Sequence, residues 1–123
     1  MNTGAEGVET AMKLARKWGY KVKGVKDNQA KIIFAKDNFH GRTISVISAS
    51  NDPESTSHYG PFTPGIVTVP YNDIEALAKQ LEDPDVIAFI VEPIQGEAGV
   101  MVPYEGYLKK SFELCKSRNV LFI

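Results

Sequence analysis

The chain lacks the features that mark several large classes of protein. It has a single cysteine, Cys115, so no internal disulfide can form and a disulfide-stapled scaffold is excluded. A lone cysteine on an apolar helix face is expected to be a buried packing residue. The longest strongly apolar run, Val86-Ile87-Ala88-Phe89-Ile90-Val91, is far shorter than the roughly 20 residues that a membrane-crossing helix needs. No block of like charge occurs, and 14 basic against 15 acidic residues leave a net charge of -1. That balance sets up no general field for nucleic acid or an anionic membrane, so neither is expected as a partner. The histidines are His40 and His58, and no Cys/His/Asp/Glu cluster has metal-ligand spacing, so no metal site is expected. Repeats and low-complexity segments are also missing. What remains, 43% hydrophobic and 24% charged over 123 residues, is the composition of a globular domain.

Hydrophobic periodicity divides the chain into helices and strands in alternation. Thr3 and Glu6 have the spacing of a capping box, and Val8, Ala11, Met12 and Ala15 recur at helical spacing. A helix is therefore predicted from Ala5 to Trp18, with Lys13, Arg16 and Lys17 suited to its C-terminal end and Gly19 as its stop. Lys31 to Ala35 reads as a buried strand, Asp37 to Gly41 as a loop and Arg42 to Ser48 as a short helix. Asn51 to Gly65, rich in Pro, Ser, Gly and Asn, reads as loop. Ile66 to Val69 is a short strand. Asn72 and Glu75 offer a second capping box before Ile74, Leu77, Ala78 and Leu81. Val86 to Val91 is apolar at every position, the mark of a strand covered on both faces. Pro93 to Pro103 is loop. Leu108, Phe112 and Cys115 then mark one face of a helix over Glu105 to Arg118, and a last strand starts at Val120. Alternating all-apolar strands and helices predict an α/β domain with a mostly parallel sheet and flanking helices.

In such sheets ligands bind at the carboxyl ends of the strands. The loops Asp37 to Arg42 and Glu92 to Gly99 each follow a strand, and Asn2-Thr3-Gly4-Ala5 opens a helix as a strand-to-helix turn would. The three segments are therefore expected to converge on one edge. A helix start with Gly4 and Ala5 can hold a phosphate on exposed backbone N–H groups; equally, Gly4 can simply ease a tight turn. Phe39 in a loop can stack on a flat ring, and Arg42 beside it can grip a carboxylate with two hydrogen bonds. The plainer alternative is a core phenylalanine and a solvated arginine. Glu92 and Glu97 stand after a buried strand, either as site carboxylates or as surface residues of a loop.

Together, Asn2-Thr3-Gly4-Ala5-Glu6, Phe39-His40-Gly41-Arg42-Thr43 and Val91-Glu92-Pro93-Ile94-Gln95-Gly96-Glu97 resemble the class III PLP-dependent aminotransferases in order and spacing along essentially the whole chain. Within that class, Lys13 to Tyr20, Gly60-Pro61-Phe62, Pro70-Tyr71-Asn72-Asp73 and Gly96 to Val100 look most like the ornithine-using branch, with the acetylornithine branch as nearest competitor. The resemblance implies a partial large domain of a fold type I PLP-dependent transferase over residues 1–123, with no second domain. It implies pyridoxal 5'-phosphate as cofactor, ornithine and 2-oxoglutarate as substrates, and a homodimer or higher homo-oligomer. By the same resemblance, Gly4 and Ala5 would bind the cofactor phosphate, Phe39 would stack on its ring, and Arg42 would hold the substrate α-carboxylate. Glu92 would line the site. Glu97 would pair with an arginine from a later part of the chain and release it to a dicarboxylate co-substrate. His40 stands where many ornithine-using relatives have tryptophan, and its place is with the substrate-binding residues.

The resemblance also implies what residues 1–123 do not carry. The Schiff-base lysine and the aspartate facing the pyridine nitrogen would lie beyond Ile123, so no catalytic residue is assigned and both ends read as cuts through a fold. The polypeptide by itself is expected to be inactive in transamination. Cytoplasm and mitochondrial matrix both remain open. The second reading is a non-catalytic module binding a phosphate ligand or a partner chain. The first reading requires that the gene continue past Ile123 with an acidic residue at once and a lysine further on; sequencing on either side decides it.

Overall fold

The computed structural model describes residues 1–123. Ten short elements follow one another. The helix α1 (Gly4–Trp18) passes without a break into a π-helical turn (Gly19–Lys23), then come β1 (Lys31–Ala35), α2 (Ile44–Ile47), α3 (Pro53–Thr56), β2 (Ile66–Val69), α4 (Ile74–Gln80), β3 (Val86–Ile90), α5 (Tyr107–Ser117) and β4 (Leu121–Phe122). The strands form one parallel sheet in the order β2-β1-β3-β4. The α/β class with a parallel sheet and flanking helices is as the sequence predicts. No helix is long and apolar enough to cross a membrane.

Each face of the sheet has its own apolar core. On one, Ile32 and Phe34 of β1 and Ile87 of β3 pack with Met12 and Ala15 of α1 and with Val46 of α2. On the other, Ile33, Val69 and Phe89 pack with Leu77 of α4 and with Cys115 of α5. Every residue of β3 is buried, which explains its uninterrupted apolar run: a strand covered on both faces has no solvent side to mark with polar residues. Burying an aliphatic or aromatic side chain in such a core contributes about 1.5–3 kcal/mol, and β1 and β3 supply its centre with Ile32 to Ala35 and Val86 to Ile90. Cys115 is buried and free, and burial pushes its thiol up to about 12, as befits a packing residue.

Local signals hold where capping groups are within reach. Thr3 caps α1, accepting from the Glu6 amide at 3.2 Å, while the Glu6 carboxylate accepts from the Thr3 amide at 2.9 Å. Tertiary contacts override the sequence elsewhere. Gly19 is the C-cap of α1, as expected, but it keeps helical angles, so the chain runs on as the π-helical turn, and the left-handed terminator is Gly24, with φ of 84°. Gly19 is required for a different reason. A Cβ there would lie 2.5 Å from Cγ2 of the buried, branched Ile87, so the glycine lets the helix run onto β3. The second capping box is also displaced. The N-cap of α4 is Asp73, which accepts from the Ala76 amide at 2.8 Å, whereas Asn72 turns left-handed (φ 66°) and accepts from the Tyr104 amide at 3.0 Å. The stretch expected as loop after Asn51 contains α3, with Asp52 as cap and Pro53 in the first turn. In α5 the buried positions are Tyr107, Ser111 and Cys115, and Phe112 is 47% exposed, lying edge-on to Phe122 at the sheet margin.

Gly19 yields a test on the intact polypeptide that carries this chain. Gly19→Ala is expected to lower the unfolding free energy by about 1–3 kcal/mol, because overpacking against Ile87 outweighs the gain in helix propensity. Gly7→Ala, where an added Cβ meets nothing within 4 Å, should be neutral or stabilising by up to about 1 kcal/mol. Urea titrations of both variants check the pair.

Candidate functional site

β1 and β3 are neighbours in a parallel sheet, so the segments that follow them leave side by side. The first segment is anchored at its root by Asn38, a buried side chain whose Nδ2 donates to the carbonyls of Ala35 (2.7 Å) and Ala49 (2.9 Å). Asp37 and Asn51 exchange a reciprocal pair of bonds, each 2.7 Å. From that base the chain presents Phe39 outward, 39% exposed, with the Arg42 guanidinium 6.0 Å from its ring centroid. His40 turns the other way. Its ring packs on Phe34 with centroids 5.3 Å apart, its Nε2 is buried without a partner, and burial pushes its pKa down, favouring the neutral ring.

Gly41 brings this segment onto the start of α1. Its φ is 120°, and a Cβ there would sit 2.6 Å from Cβ of Ala5, so only glycine permits the approach. Two residues on, the Thr43 hydroxyl donates to Glu9 Oε1 at 2.6 Å. At the helix tip, the amides of Gly4 and Ala5 point out of the helix without an intrahelical acceptor. Nothing lies within 4 Å of the Cβ that Gly4 lacks, so there is open space beside that backbone. The neighbouring amides of Asn2 and Thr3 are occupied by the Glu6 carboxylate, whose pKa those bonds lower.

The segment after β3 completes the arrangement. Glu92 Oε2 accepts from the Phe39 amide at 3.2 Å, tying the two strand-end segments together. Burial raises the Glu92 pKa, the Phe39 hydrogen bond opposes that, and the nearby charge of Glu97 adds to the rise. Gln95 is almost fully buried; its Nε2 donates to the Lys36 carbonyl at 2.7 Å and its backbone pairs with Met101. Tyr71, from the turn after β2, donates to the Glu92 carbonyl at 3.0 Å.

A cavity of about 850 Å3 opens beside these segments, lined by Phe39, Arg42, Ile44, Asp52, Tyr59 and Glu97 among others. Of the predicted site residues it thus collects Phe39, Arg42 and Glu97. Gly4, Ala5, His40 and Glu92 are outside its lining: Ala5 packs on Gly41, between the lining residues Phe39 and Arg42, Glu92 is tied to the lining through the Phe39 amide, and His40 faces the core. No lysine lines the cavity. Three anchoring residues escaped the sequence reading. Asn38, Gln95 and Tyr71 act through contacts that no local spacing encodes; only the polarity of Asn38 and Gln95 next to strand ends hinted at buried acceptors.

The profile of the family "Aminotransferase class-III" matches residues 1–123. The mitochondrial ornithine aminotransferase of Drosophila melanogaster is 63% identical over the entire chain. Among solved structures, the ornithine aminotransferase of Toxoplasma gondii, in one crystal form with partial occupancy of PLP at its active site, superposes with a TM-score of 0.98 at 52% identity over 99% of the chain. The acetylornithine aminotransferase of Elizabethkingia anophelis gives a TM-score of 0.78 at 60% identity over 99% of the chain. The chain spans 28% of the Drosophila protein and 29% of each of the two crystallised chains.

The Glu92 geometry makes a stability prediction. A carboxyl whose pKa is raised in the fold stabilises it below the ordinary value of 4.5, and that contribution is lost as pH rises through the folded value. Glu92→Gln keeps an acceptor for the Phe39 amide and removes the desolvated charge and its repulsion with Glu97. The variant should melt above wild type at pH 7–8, and the two should converge below pH 4.5. Melting curves across that range check it.

Proposed function

Because the chain belongs to the class III aminotransferases, we propose that residues 1–123 form part of the PLP-binding large domain of an enzyme that moves the δ-amino group of ornithine to 2-oxoglutarate. The observation that carries this reading is the meeting of three sequence-distant segments: Gly41 on Ala5, the Phe39 amide on Glu92, and Phe39, Arg42 and Glu97 around one cavity.

The residues present fit the cofactor. The tip of α1 offers free amides and open space at Gly4 for a phosphate, and Phe39 exposes its ring beside the cavity for a flat heterocycle. When bound, PLP supplies the electron sink for amino-group chemistry, a task no side chain can perform. The chain's own contribution is binding and orientation. Arg42 holds the α-carboxylate of the amino acid or oxo acid in the cavity, its guanidinium steadied over Phe39. Glu97, on the same cavity, offers a carboxylate to an arginine contributed from elsewhere in the polypeptide and gives it up when the dicarboxylate co-substrate enters. Glu92 orders the Phe39 segment. His40, neutral and packed on Phe34, contributes to substrate binding by placing Phe39 and Arg42. In this reading the assembly is a homodimer or higher homo-oligomer, in the cytoplasm or the mitochondrial matrix.

The likeness to the Elizabethkingia acetylornithine aminotransferase favours one competing substrate. Assaying the intact polypeptide with PLP and 2-oxoglutarate separates the two. The expected result is glutamate formation with kcat/KM for ornithine at least tenfold above that for N-acetylornithine. The reverse order hands the assignment to the acetylated substrate, and no glutamate from either ends the aminotransferase proposal. Arg42→Gln is expected to lower kcat/KM for ornithine and 2-oxoglutarate by about 10- to 100-fold, through KM, with the melting temperature little changed.

A further inference from the structure

We propose that Tyr71 is a positioning residue that holds Glu92 in place from behind the site. Tyr71 lies in the turn after β2, which borders β1 and not β3, so its side chain reaches past the end of β1 to meet the exit of β3. Its hydroxyl donates to the Glu92 carbonyl at 3.0 Å and stands 3.3 Å from the Pro93 carbonyl. Both acceptors lie past the last residue of β3, where the sheet ladder provides no donor; the last amide to join it is that of Val91, bonded to Ile123. The phenol therefore satisfies backbone groups that the sheet cannot reach.

The brace is itself held rigidly. The Tyr71 ring meets Tyr107 edge-on, with centroids 5.3 Å apart and an interplanar angle of 67°. Tyr107 is fully buried and meets Tyr104 in the same way at 5.5 Å. Tyr104 is pinned in turn by its amide, which donates to Asn72, the residue next to Tyr71. An ordered donor loses little entropy on forming its bond, which suits it to fixing geometry. Burial and the Glu92 charge both raise the Tyr71 pKa, so the hydroxyl keeps the proton it donates. Glu92 is thus gripped at two points: its carbonyl by Tyr71 and its carboxylate by the Phe39 amide. Removing the first grip loosens the second, and with it the placement of Phe39 and Arg42. The structural coupling stands by itself; its catalytic consequence rests on the aminotransferase reading.

The test uses the intact polypeptide carrying this chain, with Tyr71→Phe, Glu92→Ala, which removes the acceptor of the Phe39 amide, the double variant, and Tyr107→Phe. Tyr107 shares the aromatic stack, but its hydroxyl makes no hydrogen bond to Glu92 or Pro93, so its loss reports the stack without the brace. Amide hydrogen exchange at Phe39 is followed without cofactor. Y71F and E92A are each expected to accelerate it about five- to tenfold, the double variant no more than E92A, and Y107F not at all, with strand β1 unaffected throughout. Wild-type exchange in Y71F, multiplying effects in the double variant, or equal acceleration in Y107F overturns the proposal. In turnover with ornithine, Y71F should lower kcat/KM by a similar factor in the wild-type background and not at all in E92A. Coupled exchange in a protein that transfers no amino group would support the brace and sink the ornithine reading.

Discussion

Two adjacent parallel strands must end on the same side, and the site is built on that constraint. The register pairs Phe34 with Ile90, one residue before β1 ends and at the last residue of β3. Neighbouring strands are roughly 4.8 Å apart, so chain segments leaving them start within one side chain of each other. Glu92, two residues past β3, needs no long excursion to accept from the Phe39 amide. A change of register by one residue would turn Glu92 to the opposite face and leave Phe39 without its tie. The all-apolar character of β3 and the interlocked cores on both faces prevent that slip, since every residue of the strand has a buried place to keep.

The same edge carries the least comfortable chemistry in the molecule. Glu92 is partly desolvated and close enough to Glu97 to feel its charge, and His40 buries a ring nitrogen with no partner. Each costs folding free energy, whereas the rest of the chain satisfies its buried side-chain polar groups apart from the Tyr107 and Ser111 hydroxyls. The two desolvated groups beside Phe39 are the pattern of a site maintained for binding, with the cores supplying the stability that offsets them.

The fold was legible because its signals are local or periodic. Thr3 and Glu6 announce a helix start by reaching each other within one turn, and β3 announces a doubly covered strand by having no polar residue. The order and spacing of the site motifs were legible too. Their mutual geometry was not, because it depends on contacts between residues far apart in sequence. Gly19 looks like a helix stop, and only Ile87, across the core, shows that it is there for close approach. Asn72 and Glu75 have capping spacing, yet the Tyr104 amide claims Asn72 and leaves the cap to Asp73. Leu108, Phe112 and Cys115 trace one stripe of α5, but the buried positions are Tyr107, Ser111 and Cys115, and Phe112 lies beside Phe122 instead.

The anchors that the sequence concealed share a physical rationale. Past the end of a strand the backbone still carries acceptors, and a loop near the core cannot give them all to water. Asn38 takes the carbonyls of Ala35 and Ala49, Gln95 takes that of Lys36, and Tyr71 takes that of Glu92. All are neutral donors on side chains fixed by packing, placed at the roots of the two segments. Charged donors at those roots would have shifted the electrostatics of Arg42, Glu92 and Glu97, whereas neutral amides and a phenol hold the backbone and leave the charges of the site free to be set by its occupant. Division of labour between neutral anchors below and charged groups above lets a chain with almost no net charge present a strongly polar edge without unbalancing the fold beneath it.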